Sequence, residues 1–264
     1  MSQPIALSIN LNKIALIRNS REGNNPDIAQ YAKKIILGGA DGITVHPRPD
    51  QRHIRPEDCT QLAALVKQEK NRNPALEFNI EGNPFAAHSA ATRADFNDYP
   101  GFFSLVEHCV PDQVTLVPDS DTQLTSNHGF DLNQDNRALR TQIQLFKALG
   151  CRVSLFMDPV TDQISRAADL GADRIELYTG PFADSYANNK VSAKALFEQH
   201  LIAAEHAHTL GLGVNAGHDL NTHNLTMYKH LPHLLEVSIG HAFTIDALDN
   251  GIEKTLKNYR QALA

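Results

Sequence analysis

Cysteine is scarce in this 264-residue chain: Cys59, Cys109 and Cys151 are widely spaced and form no CxxC pair. Such a set suits free thiols in a reducing cytosol and argues against a disulfide framework or a thiolate zinc site. Long apolar runs are missing too, and none approaches the roughly 20 residues a membrane helix needs. The opening Met1-Ser2-Gln3-Pro4 lacks the basic and apolar regions of a signal peptide. A cytoplasmic protein without membrane contact is expected. Nor is positive charge in excess: 24 Lys and Arg against 30 Asp and Glu leave a net charge of −6. They are scattered, with no basic stripe, so no nucleic-acid partner is expected. HExxH, a carboxylate-rich cluster, a serine elbow and a reactive-cysteine context are all absent, and His218 and His223 are five apart. The chain should therefore bind no metal.

What is present is a rhythm. Strand-like runs occur at Ala6–Asn10, Gly42–His46, Leu76–Ile80, Gln113–Val117, Arg152–Met157, Arg174–Tyr178, Gly213–Ala216 and Glu236–Ile239. Most look like continuous apolar or β-branched stretches, as expected of parallel strands covered by helices. Between them lie helical patterns at Pro26–Leu37, Pro56–Gln68, Asn136–Leu149, Asp162–Leu170, Ala193–Leu210 and Ile245–Leu263. Proline at 26 and 56 stands just inside a helix start, where its missing N–H is no loss. Helices stop at Gly39, Gly150, Gly171 and Gly211, where glycine takes the left-handed conformation, and a strand follows within a few residues. Eight such units predict one (β/α)₈ TIM-barrel domain over residues 1–264. An open doubly wound sheet is the alternative, weakened because no Gly-rich fingerprint follows the first strand. Residues 82–101 break the rhythm as a long connection, expected to be a surface excursion.

In a barrel the chemistry sits where strands run out into loops. Asn10 follows the first strand, His46 ends the second, Glu81 follows the third, and Thr125 lies after the fourth. Tyr178-Thr179-Gly180 follows the sixth, Asn215–His218 the seventh, and Gly240-His241 the eighth. Singly, each has an ordinary structural explanation, and His88, His206, His208, His230 and His233 look like surface or helix residues. Together at one mouth, they point to acid–base chemistry: His46 and Glu81 taking protons, His218 giving one. Arg18, Arg48 and His53 are candidate ligands for an anionic substrate. Arg21 and Arg52 are evenly balanced between that role and a solvated loop. Gly240-His241 at a helix start suggests a phosphate cradle, and Gly217 similar backbone freedom in the preceding loop. A phosphorylated, carbonyl-type substrate follows.

The segments Asp41-Gly42-Ile43-Thr44-Val45-His46-Pro47-Arg48, Phe78-Asn79-Ile80-Glu81-Gly82, Val114-Thr115-Leu116-Val117-Pro118, Glu176-Leu177-Tyr178-Thr179-Gly180, Val214-Asn215-Ala216-Gly217-His218-Asp219-Leu220 and Ser238-Ile239-Gly240-His241-Ala242 resemble the pyridoxine 5′-phosphate synthase family. They occur in family order across nearly the whole chain. The resemblance implies a barrel enzyme of vitamin B6 biosynthesis. Such an enzyme condenses 3-amino-2-oxopropyl phosphate with 1-deoxy-D-xylulose 5-phosphate, without metal or organic cofactor, commonly as a homo-octamer. It implies that His46 and Glu81 are general bases and His218 the general acid. Asn10, Arg18, Arg48, His53 and Thr125 match substrate-binding positions, and Asp219, Gly240 and His241 the amino-ketone phosphate and product side.

The chain departs from the family at several places. Asn12-Lys13 replaces Asp-His, which makes both residues candidates for holding the deoxyxylulose phosphate. Pro118-Asp119-Ser120-Asp121 lacks the usual basic residues, Ser126-Asn127-His128 replaces a Thr-Glu-Gly pattern, and the connection after Glu81 is long. Two other readings stay open. One is a sugar-phosphate isomerase, epimerase or Schiff-base aldolase, for which Lys13 is the nearest lysine. The other is a barrel that binds a phosphorylated ligand without catalysis.

Overall fold

The computed structural model describes residues 4–120 and 123–264. Met1–Gln3, on which the signal-peptide reading partly rests, and Asp121 of the 118–121 loop lie outside the described residues. Strand β1 (Ala6–Asn10) leads into helix α1 (Asn12–Asn19), and α2 (Ile28–Leu37) returns to β2 (Gly42–Val45). Next come α3 (Pro56–Glu69) with β3 (Glu77–Gly82), and α4 (Phe102–Cys109) with β4 (Gln113–Leu116). Then follow α5 (Arg137–Ala148) with β5 (Arg152–Met157), and α6 (Thr161–Leu170) with β6 (Arg174–Tyr178). Helices α7 (Gly180–Asn188) and α8 (Lys190–Thr209) precede β7 (Gly213–Gly217), and short α9 (Leu225–Tyr228) precedes β8 (Leu234–Ile239). Helices α10 (His241–Asn250) and α11 (Ile252–Leu263) follow. Each strand runs parallel to its sequence neighbours, and β8 pairs with β1 from Ala6↔Glu236 to Ile9↔Ile239. That last pairing closes an eight-stranded TIM barrel and rules out the open sheet. Among the described residues no helix is long and apolar enough to cross a membrane.

Several local expectations change. The stretch from Ile245 to Leu263 is two helices, broken at Gly251 (φ 77°, ψ 155°). Helix α2 starts at Ile28, where the Asp27 side chain accepts from the Gln30 N–H, so Pro26 lies before the helix. Helices α1, α4, α7 and α9 carry no N-cap side-chain hydrogen bond. Without that start signal they look like loop in the sequence. The four glycine stops are as expected, at φ 102°, 89°, 92° and 79° for Gly39, Gly150, Gly171 and Gly211.

The strands alternate, against the expectation of continuous apolar runs. Leu7, Ile9, Ile43, Val45, Phe78, Ile80, Val114 and Leu116 are fully or almost fully buried in the apolar core, while the intervening residues are polar and face the barrel axis. Hydrogen bonds that skip strands demonstrate this orientation. Asn10 on β1 reaches Glu81 on β3, and Asn215 on β7 reaches Gln113 on β4. A polar layer runs round one wall through Ser8, Thr44, Asn79 and Thr115. Burying these groups is tolerable because they satisfy one another.

The turns before strands carry a further device. Asp41, Asp112 and Asp173 each accept, through Oδ2, the N–H of a residue at the start of the preceding strand: Leu7, Phe78 and Val153, at 2.8, 2.8 and 2.9 Å. Each aspartate thus satisfies an otherwise unpaired strand-end donor. It also pins the end of the barrel opposite the site.

Candidate active site

At the C-terminal ends of the strands lies a cavity of about 410 Å³. His46, Glu81, His218, Asn10, Asn12, Lys13, Arg48, His53, Thr125, Asp219, Gly240 and His241 all line it. Arg18 does not. It is 1 % exposed, with Nη2 donating to Asp58 Oδ2 (2.9 Å) and to the carbonyl of His53 (3.0 Å). The expectation that Arg18 binds substrate is therefore corrected: its guanidinium is already spent on a buried ion pair.

Glu81 belongs to β3 itself, because that strand runs to Gly82. Its Oε2 accepts from Asn10 Nδ2 at 3.3 Å and lies 3.8 Å from His46 Nδ1. Burial, with the anions of Asp119 and Glu236 adding to it and Arg48 opposing, pushes the Glu81 carboxyl up to about 8. His46 moves the other way: burial, then Arg48, His53 and Arg52, hold its pKa well below the usual histidine value. It is a neutral imidazole at pH 7 and can accept a proton. Its position is set by a relay, since the His46 backbone N–H donates to Asn12 Oδ1 and the Asn12 backbone N–H donates to Asn10 Oδ1, both at 2.9 Å.

His218 sits on a strained turn. Its φ is 90° and that of Asp219 is 57°, values that side chains other than glycine's rarely adopt. Thr179, fully buried at the end of β6, holds this turn. Its N–H and Oγ1 both donate to Gly217 O (3.1 and 2.8 Å), and Oγ1 also bonds the carbonyl of His218. Asn224 Nδ2 holds the Asp219 carbonyl at 3.0 Å, and the Tyr178 ring stands edge-on to His218 at 5.2 Å. Burial lowers the His218 pKa; Asp219 and Asp119 oppose this and Lys13 reinforces it.

The cationic side of the cavity is equally built. Lys13 has no ion-pair partner among the described residues, which leaves a free cation at the mouth. Arg48 pairs with buried Asp119, which also accepts from Ser126 Oγ at 2.7 Å. Arg52 reaches across to the carbonyls of Gln123 and Leu124. The β4 loop is thus tied to the β2 loop, and Asp119 takes up a cation on which an incoming anion would otherwise be the only claim. His53 accepts the Ile54 N–H at Nδ1 (3.0 Å). Burial, Arg48 and Arg52 drive its pKa down to about 3. The neutral ring therefore carries its proton on Nε2, and His53 lines the cavity. At Gly240 the chain enters α10, with the Thr244 N–H and hydroxyl returning to the Gly240 carbonyl at 3.0 Å. The first N–H groups of that helix have no intrahelical acceptor and suit an anion.

Sequence reasoning passed over Glu176, which lines the cavity at 4 % exposure. Burial and the nearby Glu81 raise its pKa. The signal lay in the alternation of Arg174-Ile175-Glu176-Leu177-Tyr178, where a carboxylate occupies an inward position. Gly217 is the matching half. A Cβ there would stand 2.1 Å from Glu176 Oε1. This glycine makes room for a carboxyl group, a correction to the idea that it loosens a phosphate-binding loop. Among the described residues no group of three or more His, Cys, Asp or Glu could hold a metal ion.

Residues 7–264 match the model of the family described as pyridoxal phosphate biosynthesis protein PdxJ. The chain is 51 % identical over 260 residues to the pyridoxine 5′-phosphate synthase of Xanthomonas campestris pv. campestris (strain B100), covering 98 % of this chain and 96 % of that protein. It is 47 % identical over 258 residues to the synthase of that name from Cytophaga hutchinsonii, covering 97 % and 98 %. Among solved structures, 3-keto-L-gulonate-6-phosphate decarboxylase from Vibrio cholerae superposes with a TM-score of 0.59 at 10 % identity, covering 99 % of this chain and 98 % of that one. Phosphoribosyl anthranilate isomerase from Thermus thermophilus gives 0.53 at 11 %, covering 98 % of each. At such identities these two share the fold alone.

Proposed function

The chain belongs to the PdxJ family of pyridoxal phosphate biosynthesis proteins, and we propose that its strand-end residues divide among them the proton transfers of a pyridoxine 5′-phosphate synthase. The reaction joins 3-amino-2-oxopropyl phosphate to 1-deoxy-D-xylulose 5-phosphate and yields pyridoxine 5′-phosphate, phosphate and water. An amine must add to a ketone, phosphate and water must leave, and a ring must close. Each step moves a proton at a defined place, so several titratable groups are needed in one cavity.

The observation that carries the reading is the convergence of Glu81, His46 and His218 on one cavity together with unpaired donors for phosphate. His46, neutral and facing Glu81, takes a proton from the amine or from the adjacent carbon. Glu81 serves as the second base. Its raised pKa favours the protonated carboxyl before substrate binds, and Asn10 holds it where ionisation can be coupled to substrate arrival. His218 gives a proton to the departing oxygen. Burial favours its neutral form, and a phosphate dianion bound beside it acts in the opposite sense, favouring the charged imidazolium. Lys13 and His53 hold one phosphate group. The N-terminus of α10 with His241 holds the other. Thr125 and Asp219 close the mouth, and Arg48 contributes through the face not taken by Asp119. The free thiols suit a cytoplasmic setting, and the assembly is a homo-octamer, which light scattering after gel filtration tests.

The decisive experiment mixes purified protein with the two phosphorylated substrates and measures pyridoxine 5′-phosphate and released phosphate. Glu81→Gln, His46→Ala and His218→Ala are each expected to lower turnover by about 10²-fold or more, the usual size of a lost acid–base group. Folded protein that makes no product from authentic substrates would refute the proposal.

A further inference from the structure

Residues 47–53, between β2 and α3, bring Arg48, Arg52 and His53 to the cavity, yet they form no helix or strand. A segment that must aim three side chains needs its backbone fixed from elsewhere. The carbonyls at 47, 49, 51 and 53 are all engaged by side chains from outside it. Tyr99 Oη donates to Pro47 O at 3.5 Å and Ser89 Oγ to Pro49 O at 3.3 Å. Asn19 Nδ2 donates to Gln51 O (3.1 Å) and His53 O (2.8 Å), and Arg18 Nη2 reaches the same His53 carbonyl at 3.0 Å. Gln51, left-handed at φ 52°, returns its Nε2 to Asn97 O at 2.8 Å. Two supports therefore meet on the segment. One is the connection 83–101, through Ser89, Asn97 and Tyr99; the other is the end of α1, through Arg18 and Asn19.

The supports are also fastened to each other. Arg93 Nη1 donates to Asn19 O at 2.9 Å. Phe96 carries the Arg93 guanidinium 4.4 Å from its ring centre and that of Arg55 at 4.0 Å. Arg55 in turn donates to Asn19 Oδ1 at 2.8 Å, and Asn97 bonds Glu57 of α3. The connection closes on itself through Ser89 and Tyr99, whose backbones exchange N–H···O bonds of 3.0 and 2.9 Å. None of residues 83–101 lines the cavity. The connection therefore braces the loop from behind, where a lid would have to cross the mouth.

We propose that the 83–101 connection and the buried Arg18–Asp58 pair form a clamp that presents Arg48, Arg52 and His53 to the phosphate group of a substrate. Arg18, Arg93 and Phe96 are positioning residues that act through the loop and touch no substrate. The proposal rests on the reading that His53 and Arg48 meet a phosphorylated substrate, and it adds Arg52 beside them on the cavity wall. It gives a task to the long connection, which the fold alone does not need, and to Arg18, which cannot reach the cavity.

The test compares Arg93→Ala, Arg93→Lys, Ser89→Ala and Arg52→Ala in steady-state assays with each substrate varied, and with inorganic phosphate as competing inhibitor. Arg93→Ala should raise one KM and the phosphate inhibition constant about tenfold, with kcat within about twofold, as expected for loss of one or two part-buried contacts. Arg93→Lys should recover part of the loss. Ser89→Ala, which deletes a single hydroxyl, should give about threefold in the same direction; it carries the test if Arg93→Ala does not fold. Unchanged KM and inhibition constants in both, beside a raised constant in Arg52→Ala, would overturn the clamp alone. A fall in kcat at constant KM would also overturn it. Arg52→Ala with wild-type phosphate inhibition would instead remove the loop's binding role, and the clamp with it.

Discussion

Gly217→Ala probes the most tightly drawn contact in the site. The residue lies on β7 in register with Tyr178 of β6, at ordinary negative φ, so the backbone itself would accept alanine. The added Cβ would fall 2.1 Å from Glu176 Oε1, 3.1 Å from Glu176 Cδ and 3.5 Å from Ser238 Cβ. Real Cβ atoms essentially never approach a neighbour closer than 3.0 Å, so the oxygen must move by at least 3.0 − 2.1 = 0.9 Å. Glu176 is 4 % exposed and cannot swing into solvent; its carboxyl has to move toward the cavity and Glu81. Overpacking of this kind costs about 1–3 kcal/mol. A displacement of about 1 Å among reacting groups can cost about 10²-fold in rate. We expect kcat to fall by about 10- to 100-fold and the melting temperature to drop by several degrees, at about 2–4 °C per kcal/mol for a domain of this size. Adding Glu176→Asp, one methylene shorter, should return part of the lost stability, giving a coupling of about 0.5 kcal/mol or more in a double-mutant cycle. Wild-type melting and turnover in Gly217→Ala would refute the steric reasoning, as would strictly additive melting shifts in the double variant.

Thr179→Val keeps the shape but removes the hydroxyl that holds the left-handed His218 turn; kcat should fall about tenfold with KM little changed. Thr179→Ser should restore it, and equal defects in the two variants would show that the hydroxyl is not what matters. Isotope-edited infrared titration of the Glu81 carboxyl should give a midpoint of about 8, moving lower in Asp119→Asn because a neighbouring anion has gone. A midpoint in the ordinary carboxylate range would refute the burial argument. The same raised pKa has a sign for stability: the folded state keeps a proton that the unfolded chain releases, so stability is fullest below about 4.5 and declines until about 8. Glu81→Gln should therefore melt higher than the parent at pH 9 and show a smaller difference at pH 5.

Much of this was legible in the chain itself. The glycine stops at 39, 150, 171 and 211 mark a local conformational need, and glycine meets it wherever it occurs. The strand exits were equally visible, because a barrel places them at one rim whatever the details. Other features were hidden for physical reasons. Helix α1 begins with only Leu11 between it and β1 and lacks a capping side chain, so nothing local announces it. The polar alternation of Ser8, Thr44, Asn79 and Thr115 was present in the letters. Its meaning depends on whether the inner face is packed with apolar groups or wired with hydrogen bonds, and neighbours from other strands decide that.

The proposed acid–base set of His46, Glu81 and His218 is therefore determined by sequence alone as far as its place and order at the rim. Its electrostatics are not. A pKa of about 8 for Glu81 needs the burial of the closed barrel and the anions of Asp119 and Glu236, two residues far from it in sequence. Arg18 shows the same division from the other side. Its position after the first strand suggested a ligand, and only the fold, by placing Asp58 against it, turned the guanidinium away from the cavity. Local conformation follows from neighbouring residues, whereas the charge state and partner of a side chain follow from what three-dimensional packing brings within a few ångströms of it.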